Sequence, residues 1–215
     1  MTGPQQPEAG EFFESVYRSQ PPTGAVITAA GWDIGKPQPL VVELAETGGI
    51  RGRVLDAGCG TGENALYLAG RGYDVTGLDF AATGIAHARA KAERLGVRAE
   101  FDTADARELT GYEDSFDTVL DSGLLHTFTG SDRDRYVAAL HRVTSSDAAV
   151  HILAVSDAAP PGPGPQRMTE AELRAAFAIG WTVEVLRRDE MLGSLPGHGP
   201  APIPAWLLTA RKSAR

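Results

Sequence analysis

"VLDAGCGTG", Val54 to Gly62, is the stretch on which the reading of this chain turns. A short apolar run ends in an acid, and glycines follow at alternate positions, Gly58, Gly60 and Gly62. Without Cβ atoms in the way, a ligand or another segment can come very close to such a backbone. A dinucleotide loop, G-x-G-x-x-G, needs its third glycine at position 63, where it lets the helix pack on the strand beneath a pyrophosphate. That position holds Glu63, and a carboxylate there opposes a pyrophosphate. A Walker loop needs Gly-Lys-Ser/Thr, which is absent. The expected ligand is therefore neither a nicotinamide dinucleotide nor a nucleoside triphosphate.

Outward from the loop, strand and helix patterns alternate. "RVLDA", "YDVTGLD", "AEFDTAD", "FDTVLDSG" and "AVHILAV" read as strands. "GENALYLAGRG" and "ATGIAHARAKAERLG" read as helices, the second with Ile85, Ala88, Ala92 and Leu95 at helical spacing and Gly96 as its stop. Ser131 with Asp134 predicts a capping box before "DRDRYVAALHRV", and Thr169 with Glu172 predicts another before "AELRAAF". This order predicts an α/β, Rossmann-like fold, a mostly parallel seven-stranded sheet with helices on both faces. "WTVEVLRR" and "AWLLTAR" finish the chain, joined by a Gly/Pro-rich loop from Asp189 to Pro204 with no crossover helix. They are expected to pair antiparallel, which makes the last strand the antiparallel one. "DAAPPGPGPQ" and "MLGSLPGHGPAPIP" read as lids over a site or as plain surface connections.

Residues 1–10, rich in Pro, Gln and Gly, predict a disordered tail. Residues 11–50 predict helices capping the core: an aromatic amphipathic stretch with Phe12, Phe13 and Tyr17, a break at "QPPTG", then "PQPLVVELAET" with Gly48 past its end. Residues 51–215 form the main domain. Twenty Lys and Arg against 28 Asp and Glu give a formal net charge of −8, which opposes a nucleic-acid partner. No apolar run reaches the length of a membrane span, and the first residues lack the basic and apolar regions of a secretory signal. The one cysteine, Cys59, allows no intrachain disulfide, so a cytoplasmic protein is expected. Cys59 reads as a small filler of a tight turn in preference to a nucleophile. No oligomeric state is assigned.

From Val54 onward the chain resembles the class I S-adenosylmethionine-dependent methyltransferases. "VLDAGCGTG" is similar to that family's cofactor loop, and the resemblance implies S-adenosylmethionine as cofactor and S-adenosylhomocysteine as product. It implies that Asp56, Gly58, Gly60, Thr61 and Asn64 meet the methionyl end, where carbonyls and Asp56 suit an ammonium and helix N–H groups suit a carboxylate. By the same resemblance Asp79, with Phe80, takes the ribose hydroxyls, Asp105 with Ala106 takes the adenine, and Asp121 with Ser122 lines the floor below the transferring methyl. Each acid has a structural alternative: Asp56 and Asp79 as helix caps, Asp105 in a turn. A second element, "GWDIGKPQP", resembles the W-D-x-G-x-P segment of the thiopurine, tellurite-resistance and heterocycle-detoxifying methyltransferases. It implies an N-terminal segment folded over the cofactor, with Trp32 as a flat wall and Gly35 in a fixed turn; Trp32 could instead only pin that segment to the core. The chain departs from the family at "TSSDAAVHIL", where a Gly-Gly turn is usual.

Methyl transfer to such a cofactor asks the protein for alignment, a dry site and deprotonation where the acceptor requires it. His126, just past the fourth strand, is the expected base for a phenol or hydroxyl; for a thiolate, heterocyclic nitrogen or halide it becomes a polar wall. His198 is expected in an exposed loop, and His87, His141 and His151 as structural. The five histidines show no metal-ligand spacing. The fourth strand ends in "DSGL" and lacks the N-P-P-Y type sequence of enzymes that methylate base or amide nitrogens, which with the acidic balance leaves a small-molecule acceptor. Phe12, Phe13 and Tyr17 point to a flat aromatic acceptor, or to core packing. The rival readings are a noncatalytic S-adenosylmethionine-binding module and a nicotinamide-dependent oxidoreductase.

Overall fold

The computed structural model describes residues 9–20, 31–162, 164–194 and 199–213. The expected tail up to residue 8, the break after Gln20, and His198 lie outside the described residues. Seven strands form one sheet: β1 Arg53–Ala57, β2 Asp74–Asp79, β3 Glu100–Thr103, β4 Phe116–Ser122, β5 Thr144–Val155, β6 Trp181–Ser194 and β7 Pro200–Lys212. Among the described residues six helices accompany them: α1 Ala9–Tyr17, α2 Pro39–Glu46, α3 Glu63–Gly70, α4 Ala82–Leu95, α5 Gly130–Val143 and α6 Glu170–Ala176. A 3-10 turn, Leu125–Thr127, follows β4. Helix α1 opens at Ala9, inside the stretch expected as tail.

The strand order is β3-β2-β1-β4-β5-β7-β6, and every pairing is parallel except the two made by β7. The expected seven-stranded, mostly parallel sheet with an antiparallel last strand is thus present. Connections run outward in both directions from β1 and β4, so the crevice beyond their carboxyl ends is the topological switch point, where open α/β sheets bind ligands. Alternation along β1 feeds two cores. Leu55 and Ala57 join Tyr136, Leu140, Leu173 and Phe177 under α5 and α6, while Val54 joins Leu40, Leu68, Ile85 and Ala88 under α2, α3 and α4.

Local signals explain most element ends. Gly96 closes α4 in the left-handed region at φ 64°, and Pro39 opens α2. The Thr169–Glu172 capping box forms reciprocally at α6. The box expected at Ser131 does not form: α5 starts at Gly130, two residues earlier than that box requires, behind Thr129 with no side-chain cap bond. A larger correction concerns the connection before β7. The stretch read as a loop from Asp189 to Pro204 is mostly hairpin, with Met191 opposite Ile203 and Ser194 opposite Pro200. Pro200, Pro202 and Pro204 alternate, so they all present the same edge of β7. Pro204 accepts from the Ser156 N–H at 2.9 Å, which turns that edge towards the end of β5, where no ladder partner requires the missing N–H groups.

Candidate active site

The glycine loop is fastened to the neighbouring strand before any ligand is considered. Gly58 and Cys59 both donate their N–H to the Leu78 carbonyl, at 2.8 and 3.0 Å. Gly60 donates to Asp79 Oδ2 at 2.8 Å, and Ala81 donates to Asp79 Oδ1 at 2.8 Å. Asp79, which also takes the Phe80 N–H, therefore fixes the entry to α4 and braces the loop. Gly62 sits at φ 85°, and a Cβ there would meet the Ala88 Cβ at 2.9 Å, so the third glycine lets α3 pack on α4. Cys59 fills the turn; burial, with Asp56 and Asp79 nearby, pushes its thiol pKa up and keeps it protonated.

Asp56 is the least satisfied group in this region. It is buried and takes the Ala65 N–H with one oxygen, while Oδ2 is buried with no hydrogen-bond partner among the described residues. Burial, then the nearby Asp121 and Asp79 charges, push its pKa up to about 7. An orphaned carboxylate oxygen beside a glycine loop is the chemistry an ammonium group would complete.

The front of the cleft is built by the N-terminal segment. Tyr17 lies over the loop, its hydroxyl 2.5 Å from where a Gly60 Cβ would stand, and it accepts the Trp32 indole N–H at 2.8 Å. Phe13 meets Trp32 edge-on at 5.1 Å between ring centres, and Phe12 meets Phe13 at 5.6 Å. Glu14 anchors α1 by accepting from the N–H and hydroxyl of Thr83, at 3.1 and 2.6 Å. Asp33 accepts the Thr61 hydroxyl at 2.7 Å and the Gly35 N–H at 3.1 Å, so Gly35 at φ 67° makes the outer turn. Lys91 donates to Thr61 and pairs with Glu63. Trp32 also lines a cavity, together with Asp33, Gln38, Gly60, Thr61, Asn64 and Ser122, among others.

Past β4 the geometry departs from expectation. Asp121 is fully buried and accepts from the Leu124 and Leu125 N–H groups at 2.8 and 2.9 Å and from the Tyr136 hydroxyl at 2.9 Å. It lies one layer beneath the floor and holds the 3-10 turn that carries His126. Burial raises its pKa to about 6. His126 Nδ1 accepts the Val155 N–H at 3.0 Å, and its ring edge faces the Gly123 Cα, as does the Met191 methyl. Burial, then the Arg167 guanidinium, lower its pKa to about 4. A neutral imidazole with Nδ1 accepting carries its proton on Nε2, so at that nitrogen, on the Gly123 side, it is a donor.

Beyond β2 and β3, Phe80 leaves half its surface exposed beside Asp79, and Ala106 packs against the core. Asp105 already holds the Arg107 guanidinium, at 2.7 and 2.9 Å, and Arg107 reaches on to Asp132 at 2.8 Å. Those bonds hold the Asp105 carboxyl below its ordinary range. His151 is structural, bonded to Thr209 and to the Gly49 carbonyl at 3.0 Å each. Sequence reasoning missed Gln38, Met191 and Arg107. Arg107 had a local signal in its spacing from Asp105; the other two act across the fold.

Comparison with known proteins follows the geometry. A methyltransferase domain family matches residues 54–147. The 2-heptyl-1-hydroxyquinolin-4(1H)-one methyltransferase of Mycobacteroides abscessus is 40% identical over 177 residues, 81% of this chain and 78% of that protein. A structure solved for the conversion of a disulfide bond into a thioacetal group during echinomycin biosynthesis superposes with TM-score 0.88 at 44% identity, covering 95% of this chain and 92% of the other. The Burkholderia thailandensis 1,6-didemethyltoxoflavin-N1-methyltransferase, solved with 1,6-didemethyltoxoflavin and S-adenosylhomocysteine, is 29% identical with TM-score 0.63, covering 82% and 77%.

Proposed function

The chain belongs to the S-adenosylmethionine-dependent methyltransferases, and from that premise we propose that it methylates an oxygen, nitrogen or sulfur of a small aromatic or heterocyclic molecule. The observation that carries the proposal is the orphaned Asp56 oxygen near the end of β1, beside the glycine loop whose Gly60 and Thr61 line a cavity together with Trp32, Asn64 and Ser122. The named relatives support the acceptor class, since both the quinolone and the toxoflavin precursor are flat N-heterocycles.

The bound cofactor supplies a sulfonium-activated methyl group. Asp56 would hold its ammonium, and the N–H groups from Thr61 to Asn64 with the Asn64 side-chain NH2 its carboxylate. Asp79 suits the ribose hydroxyls, and Phe80, Asp105 and Ala106 the adenine. Phe12, Phe13, Tyr17 and Trp32 would exclude water and hold a planar acceptor by stacking and edge contacts. His126 in its Nε2–H form donates a hydrogen bond to an acceptor that arrives deprotonated or has a lone pair to offer. On that reading His126 positions the acceptor, and the proton has already left.

The test is calorimetry with S-adenosylhomocysteine and NAD, followed by turnover with 2-heptyl-1-hydroxyquinolin-4(1H)-one and related phenols, thiols and N-heterocycles. Binding of the adenosyl ligand together with a product heavier by one CH2 is expected. Absence of turnover across all three acceptor classes would overturn the acceptor reading.

A further inference from the structure

Gln38 is buried at 4% exposure and directly follows the W-D-x-G-x-P residues, Trp32 to Pro37, within "GWDIGKPQP". Its carboxamide makes two bonds to one main-chain residue: Nε2 donates to the Leu192 carbonyl at 2.8 Å, and Oε1 accepts the Leu192 N–H at 2.8 Å. Its own N–H donates to Asn64 Oδ1 at 2.9 Å. That bond commits the amide oxygen of Asn64 and leaves its NH2 as the donor available to the cavity that Asn64 lines. Next to Leu192 stands Met191, whose methyl packs beside the His126 ring over Gly123. Two residues beyond, Ser194 donates to the Gly31 carbonyl at 2.6 Å. One buried side chain thus joins the first turn of α3, on the cofactor side, to the tip of the β6–β7 hairpin, on the acceptor side.

We propose that Gln38 is a positioning residue that couples filling of the cofactor site to ordering of the acceptor wall at Met191 and Leu192. The inference rests on the cofactor reading above and needs no particular acceptor. A donor group of Asn64 engaged by a carboxylate fixes the Asn64 amide, which fixes the Gln38 main chain and, through the paired bonds, the hairpin. Both links are part-buried and meet at the buried Gln38, where exchange with water weakens such bonds less than at an exposed site. A single hydrogen-bonding side chain at this junction transmits order in a way that no apolar residue of the same size can.

Hydrogen exchange on the full chain, with S-adenosylhomocysteine as the probe, tests it. In the wild type the ligand is expected to slow exchange at residues 189–194 by about tenfold. In Gln38→Ala that slowing is expected to vanish at ligand concentrations that calorimetry shows to saturate the variant. Equal slowing in both proteins overturns the proposal. So does ligand binding to the wild type with no change at 189–194, which leaves the cofactor reading intact; no binding at all sinks that reading instead. Gln38→Glu covers a fold defect in the alanine variant. A protonated carboxyl there can donate to the Leu192 carbonyl and an ionised one cannot, so at saturating ligand the slowing should be present near about pH 6 and lost near about pH 8. The same behaviour at both pH values overturns the proposal.

Discussion

The main-chain N–H of Val155 donates to Nδ1 of His126 at 3.0 Å, and this bond decides what the imidazole can offer an acceptor. With Nδ1 committed and the pKa lowered to about 4, the ring is neutral through the physiological range with its proton on Nε2. Gln is the informative substitution, because its amide can accept from Val155 and still donate across the cleft. His126→Gln is expected to retain kcat/KM within about tenfold of wild type, whereas His126→Phe, which leaves the Val155 N–H unpaired, should lose about a hundredfold. A general base would make both variants fall by about 10²–10⁴. Steady-state kinetics on the two variants decides it, and the wild-type rate should show no inflection from this histidine above about pH 6.

Asp56 ties cofactor affinity to pH. Its pKa of about 7 in the ligand-free chain means that an ammonium must draw off a proton to form the ion pair. Affinity for S-adenosylhomocysteine should therefore weaken below about pH 7, approaching tenfold per pH unit, with proton release on binding visible as a buffer-dependent calorimetric heat. The stability effect has the opposite sense. A carboxyl raised from 3.8 to about 7 favours folding at low pH and loses that contribution as pH rises through 7. Asp56→Asn should bind the ligand poorly at every pH while raising the ligand-free Tm by several degrees at alkaline pH. A Tm that falls instead would show that Asp56 is paired in the free protein.

What was legible in the sequence follows from range. The glycine loop, the acids ending β1 and β2, and the strand–helix alternation are local patterns, and each lies where it was expected. Asp121 was visible as an acid at a strand end, but its partner Tyr136 stands 15 residues away, and that bond helps turn the carboxylate under the floor. The protonation of His126 rests on Val155, 29 residues on, and Gln38 finds Leu192 at a distance of 154. No window along the chain contains those pairs. The β6–β7 tip was misread because proline spacing looks like a loop until the end of β5 shows which edge the prolines face.

Tyr17 links the aromatic wall to the glycine loop through one hydroxyl, which accepts from Trp32 at 2.8 Å. Burial, reinforced by Asp79, pushes the phenol's pKa upward, so the hydroxyl stays protonated and serves as a fixed post. Tyr17→Phe leaves the indole N–H without that partner, a loss of about 1–3 kcal/mol if it stays dry. The acceptor KM should rise by about tenfold with little change in S-adenosylhomocysteine affinity. An unchanged KM would place Trp32 outside the acceptor wall.

Gly60 is where backbone, N-terminal helix and ligand converge, and two variants separate the physical terms. It sits at φ 54°, a conformation that costs a side-chain-bearing residue about 1–2 kcal/mol, and an added Cβ would stand 2.5 Å from the Tyr17 hydroxyl. Gly60→Ala should therefore weaken S-adenosylhomocysteine binding by about thirtyfold or more, since either the loop or Tyr17 must move. Thr169→Ala, which removes the capping box of α6 far from the loop, should lower stability by about 1 kcal/mol and leave ligand affinity unchanged. Adding Tyr17→Ala to Gly60→Ala clears the clash but not the strained φ. Partial recovery of binding, measured by calorimetry, assigns the lost portion to contact with Tyr17 and the remainder to backbone strain. Full recovery would mean the left-handed turn is unstrained, and no recovery would mean that Tyr17 itself is needed for the cofactor.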